Sequence, residues 1–243
     1  MLWNRKTDAF RVGQWFHGRI YERRSDLSPD GRHLIYFAMN GRWKSETGGS
    51  WTAISRAPWL KAIVLLGKGD CWYGGGLFTS DKTYWVNDGD GHRNLRDCRE
   101  VRRDTRFAPT RYYGGECPGV YYVRLQRDGW LLRDPSNAGQ GDCTVFEKNL
   151  PKGWILRKFA HAQVGSPPGK GCSWDEHELE NPESKSLLKL PAWEWAELDG
   201  KRVVWAEKGC LFASSIRSAK HLGEPKQLHD FNGMVFEPIA APY

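Results

Sequence analysis

Apolar residues in this chain occur in short runs that end at turn residues, and most runs are too short for helices. The clearest run is Leu34 to Ala38, which follows the turn segment Pro29-Asp30-Gly31. Proline presets the backbone φ angle, and aspartate and glycine accept the tight backbone of a turn. Because the run is apolar at every position, it is typical of a central strand that is buried on both faces.

The same arrangement, a glycine turn followed by an apolar strand, recurs along the chain. Asp128-Gly129 precedes Trp130, Lys152-Gly153 precedes Trp154, and Asp199-Gly200 precedes Val203 to Ala206. The runs are rich in Val, Ile, Tyr and Trp, which strands favour. Further strands are predicted at 14–25, 51–55, 59–66, 76–80, 83–86, 121–125, 209–213 and 225–231. The pattern therefore predicts an all-β fold.

Two segments depart from this pattern. Between Asn94 and Arg103, the apolar residues Leu95, Cys98 and Val101 fall three residues apart, a spacing that favours a helix. The final segment, 234–243, is apolar to its end. We expect this tail to pack against the first part of the chain, because an apolar segment is unfavourable in water.

The segment from Leu27 to Phe37, Leu-Ser-Pro-Asp-Gly-Arg-His-Leu-Ile-Tyr-Phe, resembles the repeat of TolB-like β-propellers, also called PD40 or WD40-like repeats. The family pattern is a Ser-Pro-Asp-Gly turn, then polar residues, then an apolar strand. The resemblance is confined to this segment, since the turns at Gly129, Gly153 and Gly200 lack the Ser-Pro pair. It implies a propeller blade and does not imply the function of TolB.

Propeller blades repeat at roughly 40–50 residues, so a chain of 243 residues would form about five blades. We expect a single β-propeller domain over residues 1–243. Its N- and C-terminal strands would close the ring, because open ends leave strand edges unpaired. Another β-sandwich or barrel is the alternative, because other all-β folds also use Asp-Gly hairpins.

Composition excludes several classes of protein. With 40% hydrophobic residues, the chain is not disordered by composition. It contains no run of roughly 18 uncharged apolar residues that could span a membrane. The first eight residues hold no apolar stretch typical of a secretory signal, and the six scattered cysteines favour reduced thiols. We therefore expect a cytoplasmic protein with no membrane partner, metal or cofactor.

The formal net charge of +7 is unevenly distributed. Residues 93–111 hold seven arginines against three acidic residues, whereas residues 172–199 hold two lysines against eight acidic residues. Arginine favours bidentate contacts with phosphate or carboxylate. The arginine-rich segment is therefore a candidate binding site for an anion, a nucleic acid or a protein, through Arg96, Arg99, Arg102, Arg103 and Arg106. The alternative is a solvated helix face whose interleaved acids pair with the arginines.

Aromatic residues provide a second candidate site. Most tryptophans in apolar strands are expected in the core, namely Trp130, Trp154 and Trp205. Trp72 and Tyr73 instead precede Gly74-Gly75-Gly76, which indicates a loop that the backbone of a partner could approach closely. Exposed aromatic rings can stack on nucleobases or sugars. The alternative for this segment is a wide turn between blades.

The sequence contains no clear catalytic motif. There is no G-x-S-x-G segment to indicate a nucleophile, and the three glycines lack the Gly-Lys-Ser/Thr ending of a phosphate loop. The segment from Asn87 to His92 partly resembles a calcium loop, but its ligand spacing fails. We interpret this segment as a turn.

The leading hypothesis is a non-enzymatic β-propeller that binds another protein or assembles complexes. A related hypothesis is self-association, in which the acidic zone at 172–199 of one copy meets an arginine zone of another. The first alternative is a nucleic-acid-binding protein that uses the arginine-rich segment and exposed aromatic residues. The second is a carbohydrate-binding or glycoside-hydrolysing propeller, with a sugar stacked on Trp72 or Tyr73.

Overall fold

The computed structural model describes residues 1–89, 91–133, 143–162 and 168–243. They group into two compact units: unit 1 comprises residues 1–125 and 236–243, and unit 2 comprises residues 126–235. Strands dominate both units, which confirms the all-β fold class. The expectation of a single domain stays a prediction. No helix in the described ranges is long and apolar enough to cross a membrane.

The described part of unit 1 contains ten strands and one helix. In chain order these are β1 (Leu2–Asn4), β2 (Ala9–Arg11), β3 (Arg19–Leu27), β4 (His33–Met39), β5 (Ser50–Arg56), β6 (Ala62–Gly67), β7 (Gly76–Phe78), β8 (Thr83–Val86), β9 (Arg93–Arg96), β10 (Arg102–Arg103) and α1 (Pro118–Arg127), whose last two residues belong to unit 2. Strands β3 to β6 are consecutive antiparallel neighbours, and β9 extends this sheet beside β6. Strands β7 and β8 form the predicted hairpin, and β10 pairs with β8 in parallel. Strands β1 and β2 form a separate hairpin.

The Ser-Pro-Asp-Gly turn leads into the centre of the unit 1 core. Gly31 has a φ of 72°, and the Ser28 hydroxyl accepts the N–H of His33 at 2.9 Å while donating to Asp30 at 2.6 Å. Strand β4 follows, and its Ile35 and Phe37 side chains are fully buried. The central strand predicted at Leu34–Ala38 is therefore confirmed.

The described residues of unit 2 form two antiparallel sheets. Its elements are β11 (Leu131–Leu132), β12 (Cys143–Asn149), a 3₁₀ turn (Pro151–Gly153), β13 (Ile155–Ala162), β14 (Ser173–Asn181), β15 (Ser186–Leu190), β16 (Trp195–Asp199), β17 (Arg202–Glu207), β18 (Cys210–Ser215) and β19 (Lys226–Asp230). One sheet has the order β11 to β15 and the other the order β16 to β19. The turns predicted at Gly153 and Gly200 join neighbouring strands as expected. Trp130, Trp154 and Trp205 are buried, also as expected.

The predicted helix at Asn94–Arg103 is wrong, because this segment is largely extended. Strand β9 pairs with β6, and β10 pairs with β8. The three-residue spacing still marks residues that turn inward, since Val101 is buried and Cys98 packs against the same apolar cluster. Backbone pairing with the edges of two sheets therefore outweighs the local periodicity.

The predicted strand at 121–125 is also wrong, because these residues lie in α1. Pro118 is the first residue of the helix, where its missing N–H costs no hydrogen bond. Tyr121, Tyr122 and Val123 are all buried, so the apolar run belongs to a helix that is covered on several sides. A short apolar run cannot by itself distinguish the two structures. Gly129, with a φ of 86°, follows this helix rather than turning a hairpin.

The C-terminal tail packs against unit 1, as expected. Residues 236–243 belong to that unit. The Tyr243 hydroxyl donates to the Lys61 carbonyl oxygen at 2.7 Å and accepts the N–H of Arg56 at 3.0 Å. The ring of Phe236 lies 6.2 Å from the ring of Trp15. The tail thus contacts residues near the start of the chain.

The described residues include three runs of four consecutive antiparallel strands. These runs are β3–β6, β12–β15 and β16–β19. Four-stranded antiparallel sheets are the unit from which propeller blades are made. The arrangement of these runs as blades, and the number of blades, remain predictions.

Candidate functional site

A buried arginine fixes the loop that carries Trp72 and Tyr73. The Arg24 side chain in β3 is 2% exposed. Its Nη1 atom donates to the carbonyl oxygens of Cys71 and Tyr73, both at 2.8 Å. Its Nη2 atom lies 3.2 Å from a carboxylate oxygen of Glu116. One cation therefore holds two backbone carbonyl groups of this loop in place.

Arg24 turns inward because β3 is irregular at this point. The pairing register of β3 with β4 shifts between Tyr21 and Asp26. The four residues from Arg23 to Asp26 are all buried, whereas a regular strand would alternate buried and exposed positions. Such irregularities re-aim side chains and are common beside functional sites.

The three glycines after Tyr73 are required by the packing of the chain itself. A Cβ atom at Gly75 would lie 2.1 Å from the carbonyl oxygen of Arg24, and one at Gly76 would lie 2.0 Å from that of Trp85. Gly74 and Gly75 also have positive φ angles, of 83° and 74°. All three are buried, and the backbone that approaches Gly75 and Gly76 belongs to β3 and β8 of the same chain.

A chain of three polar side chains supports the same loop from β5. The Thr52 hydroxyl oxygen accepts the N–H of Gly75 at 2.8 Å and lies 3.0 Å from Nε2 of His92. Nδ1 of His92 lies 2.9 Å from a carboxylate oxygen of Asp88. The Thr52 hydroxyl group therefore donates its hydrogen bond to Nε2 of His92, and the Nδ1–H group of His92 donates to Asp88.

The order of hydroxyl, imidazole and carboxylate matches the connectivity of a nucleophile, base and acid. However, Thr52 is 1% exposed, and its oxygen already accepts the N–H of Gly75. A nucleophile must reach a substrate atom, so this geometry favours a structural role. These hydrogen-bonded side chains connect β5 with the loops before β7 and before β9. Asp90, within the calcium-like segment of the sequence, lies outside the described residues.

Burial and hydrogen bonding shift the pKa values of His92 and Asp88. Burial lowers the pKa of His92, and the bond with Asp88 offsets only part of that effect. Burial raises the pKa of Asp88, but hydrogen bonds with His92 and Arg103 outweigh it, so the pKa of Asp88 is lowered overall. Both groups therefore bind protons less readily in the folded chain than in the unfolded chain.

This difference predicts that acid destabilises unit 1. The contribution of His92 is fully present above the unfolded histidine pKa of about 6.5, and it is lost as the pH falls through the lower folded value. We expect His92→Gln to reduce the loss of stability between about pH 7 and pH 5. Thermal melts of both proteins across a pH series measure this loss of stability. His221→Gln, at an exposed position, is the control, and an unchanged profile in His92→Gln would contradict the assignment.

The fixed loop forms one wall of an aromatic pocket. The ring of Tyr73 lies between two glycines, where a Cβ atom would come within 2.2 Å of the ring at Gly89 and 3.0 Å at Gly115. Its hydroxyl forms a hydrogen bond with the hydroxyl of Tyr112, which is 66% exposed. The pocket has a volume of about 260 Å³ and is also lined by Trp85, Pro109, Arg111 and Tyr113.

A second, more polar hollow in unit 1 shares Arg103 with this pocket. It has a volume of about 540 Å³ and is lined by Ser80, Thr83, Arg102, Arg103, Asp104, Thr105 and Arg106. The guanidinium group of Arg103 lies 2.8 Å from Asp88, and this ion pair fixes it at the border of the two cavities. We call the first cavity the aromatic pocket and the second the arginine hollow.

The helix of the alternative interpretation is not formed, because the segment pairs as strands, and its three acidic residues have their closest contacts with groups other than its arginine side chains. Glu100 pairs with Arg56, which lies outside the segment. Asp104 accepts the hydroxyl of Thr79 and two backbone N–H groups, and Asp97 accepts the N–H of Cys98. Within the described residues, no ion pair is formed by the side chains of Arg99, Arg102 and Arg106.

The residues predicted as binding residues fall into two groups. Tyr73, Arg102, Arg103 and Arg106 line the two adjoining cavities. The others line neither cavity, and they are Trp72, Arg96 and Arg99. Trp72 is 55% exposed on the same loop as Tyr73. Arg96 instead donates to the Ala62 carbonyl oxygen at 2.9 Å, which ties β9 to the main sheet.

Sequence reasoning missed the tyrosine that completes the pocket. Tyr112 and Tyr113 directly follow Arg111, and aromatic residues next to a basic residue are a signal of surfaces that bind single-stranded nucleic acid. Asp88 was considered only as a calcium ligand. Its ion pair with Arg103 joins two residues that are too far apart in the sequence to form a short motif.

The acidic zone at 172–199 is largely paired inside unit 2. The guanidinium group of Arg157 contacts Glu147, Glu178 and Glu180. Further pairs join Lys158 with Asp175, Lys148 with Glu197, and Arg202 with Asp199. Less negative charge is therefore available for self-association than the sequence indicates.

Comparison with known proteins provides no relative from which a function could be transferred. No protein-family model matches the chain, and no curated protein matches it. The TolB-like repeat therefore rests on the sequence resemblance alone.

Proposed function

We propose that this protein is a non-catalytic binding module whose unit 1 binds single-stranded nucleic acid. The observation that carries the proposal is the placement of Arg102 and Arg106, exposed and without an ion pair among the described residues, in the hollow that adjoins the aromatic pocket. Arginine contacts with phosphates provide affinity that does not depend on sequence. Aromatic rings stack on bases that are not paired.

The charges around the two cavities support an anionic ligand. Four arginines line them, Arg102, Arg103, Arg106 and Arg111, against two aspartates, Asp88 and Asp104, for a net charge of +2. Both aspartates are engaged by side chains of the protein. A duplex would hide its base faces, so the exposed ring of Tyr112 favours a single strand.

The scaffold that we propose for this module is a β-propeller. The three runs of four antiparallel strands and the Ser-Pro-Asp-Gly turn before β4 support it. Propellers bind ligands through loops that connect their strands. The candidate site follows this rule in part, because Tyr73, Arg106 and Tyr112 lie in loops, whereas Arg102 and Arg103 form β10. A five-blade ring is part of this proposal, and an experimental structure with another blade number would contradict it.

Removing two arginines from the hollow tests the proposed function. We expect Arg102→Ala/Arg106→Ala to weaken binding of a single-stranded oligonucleotide of about 12 nucleotides by about tenfold at low salt. The slope of log affinity against log salt should become shallower by about 1.4, since each phosphate contact on a single strand contributes about 0.7. Fluorescence anisotropy with a labelled strand measures both quantities.

A charge-matched variant provides the control. Lys201→Ala/Lys220→Ala removes two positive charges from exposed positions of unit 2, and it should leave affinity and salt slope almost unchanged. If both double variants weakened oligonucleotide binding equally, the binding would depend on the overall charge of the protein rather than on the arginine hollow. Absence of binding by the unaltered protein at low salt would eliminate the proposal.

Self-association is a second candidate function, favoured by one edge strand in unit 2. Leu187 and Leu188 in β15 are 51% and 41% exposed, and β15 is the last strand of its sheet. Exposed apolar edge strands can pair with a strand of another chain, and here the proposed occupant is β15 of a second copy. Sedimentation of a monomer at low salt and high protein concentration would contradict it. The carbohydrate alternative depends mainly on Trp72, which lines neither cavity.

A further inference from the structure

We infer that the aromatic pocket receives one unpaired base and that the arginine hollow receives the phosphate next to that base. The inference rests on the proposed function and assigns a separate role to each cavity. Among the described residues, Arg103 lines both cavities, so the base and the phosphate are placed in neighbouring positions of one strand. The inference also makes Tyr112 the residue that distinguishes a nucleic acid from other polyanions.

The size and lining of the aromatic pocket fit a single planar ring system. Its volume of about 260 Å³ is below the roughly 300–1,000 Å³ of pockets that bind drug-sized molecules. Trp85 and Tyr112 contribute aromatic surface, and every base has a face that can stack on such rings. The pocket therefore suits any base, with little preference for sequence.

The wall formed by Tyr73 is rigid before a ligand arrives. The N–H of Tyr73 donates to the Gly115 carbonyl oxygen at 2.7 Å, and Arg24 holds its carbonyl oxygen. Its ring lies in a slot between Gly89 and Gly115 that a side chain at either position would fill. Ordering a side chain on binding costs about 0.5–1.5 kcal/mol, and that cost is avoided for Tyr73.

The border between the cavities is suited to a phosphate group. Asp88 holds the guanidinium group of Arg103 there at 2.8 Å, and Arg102 and Arg106 line the hollow beyond it. The hydroxyl groups of Ser80 and Thr83 lie in the same hollow and are 2.6 Å apart. Asp104 would repel a phosphate, but its carboxylate accepts one hydroxyl and two backbone N–H groups, which disperses its charge.

Oligonucleotides with and without bases separate the two roles. The probes are a single-stranded DNA of about six nucleotides and an abasic strand with the same number of phosphates. The unaltered protein should bind the intact strand about tenfold tighter, since stacking contributes about 1–3 kcal/mol per base. Tyr112→Ala should lower the affinity for the intact strand to that for the abasic strand and leave the abasic affinity unchanged. Tyr112→Phe, which keeps the ring, should retain the preference for bases.

Each outcome distinguishes the inference from the proposed function. Equal affinities for the intact and abasic strands would overturn the base pocket and leave the proposed function intact. Binding of neither strand would overturn both. Equal weakening of both strands by Tyr112→Ala would show that Tyr112 acts through the fold rather than by stacking, and would contradict the inference. Thermal melts of the variants establish that they fold.

Discussion

Replacing Arg24 with methionine is expected to destabilise unit 1 by about 2–4 kcal/mol and to abolish binding of single strands. Methionine occupies a similar volume but donates no hydrogen bond. The carbonyl groups of Cys71 and Tyr73 would lose their buried donor, and each unsatisfied buried group costs about 1–3 kcal/mol. The cation also lies 5.2 Å from the ring of Tyr21 and 5.1 Å from that of Phe37, and these contacts would be lost.

Urea denaturation and oligonucleotide binding measure the two effects of Arg24→Met. Arg19→Met is the matched control, because Arg19 lies in the same strand with an exposed side chain and should change stability by about 0.5 kcal/mol or less. Arg24→Lys retains the charge without the planar fork that serves several acceptors, so we expect an intermediate result. If Arg24→Met were as stable as Arg19→Met, Arg24 would not be the support of the loop.

Replacing Lys158 with methionine is expected to destabilise unit 2 by about 3–5 kcal/mol. The Lys158 side chain is 1% exposed, and its ammonium group lies 3.2 Å from a carboxylate oxygen of Asp175. It also lies 2.9 Å from Nε2 of His177 and 5.0 Å from the ring centroid of Trp130. Removal of the cation leaves the carboxylate of Asp175, itself 3% exposed, without its ammonium partner in the interior.

A double variant tests whether this loss comes from the uncompensated charge. Lys158→Met/Asp175→Asn removes both charges, and it should be less destabilised than Lys158→Met alone, because a buried carboxylate that has lost its ammonium partner causes most of the penalty. Urea denaturation measures the free energy of unfolding, and hydrogen exchange in β13 and β14 locates the effect. Lys189→Met, at an exposed position of β15, is the control. Additive losses in the double variant would mean that the two residues do not interact.

The sequence predicted those parts of the fold that depend on neighbouring residues. The turn at Ser28–Gly31 and the hairpin of β7 and β8 were found, since their backbone geometry is specified by a few local side chains. The two wrong elements, at 94–103 and 121–125, have patterns compatible with more than one structure. Their conformations are decided by the strand edges and the apolar core that they meet.

Roughly half of the candidate site was also accessible from the sequence. Tyr73, Arg102, Arg103 and Arg106 were chosen because residue type and local charge indicate chemistry. The supporting residues were not found, because Arg24, Thr52 and His92 act on the loop across large separations in the chain. No spacing rule connects such residues before the sheets are formed.

By itself, the sequence determined the all-β character, the glycine turns, the buried tryptophans and the excess of arginine at 93–111. These properties follow from local backbone preference and composition. Only the tertiary structure decided which charges remain available. It placed Glu100 against Arg56 and Asp104 against Thr79, while Arg102 and Arg106 were left beside an aromatic pocket. Ion pairing and burial depend on distances between residues remote in the chain, so the net charge of a segment does not predict the charge of the surface it forms.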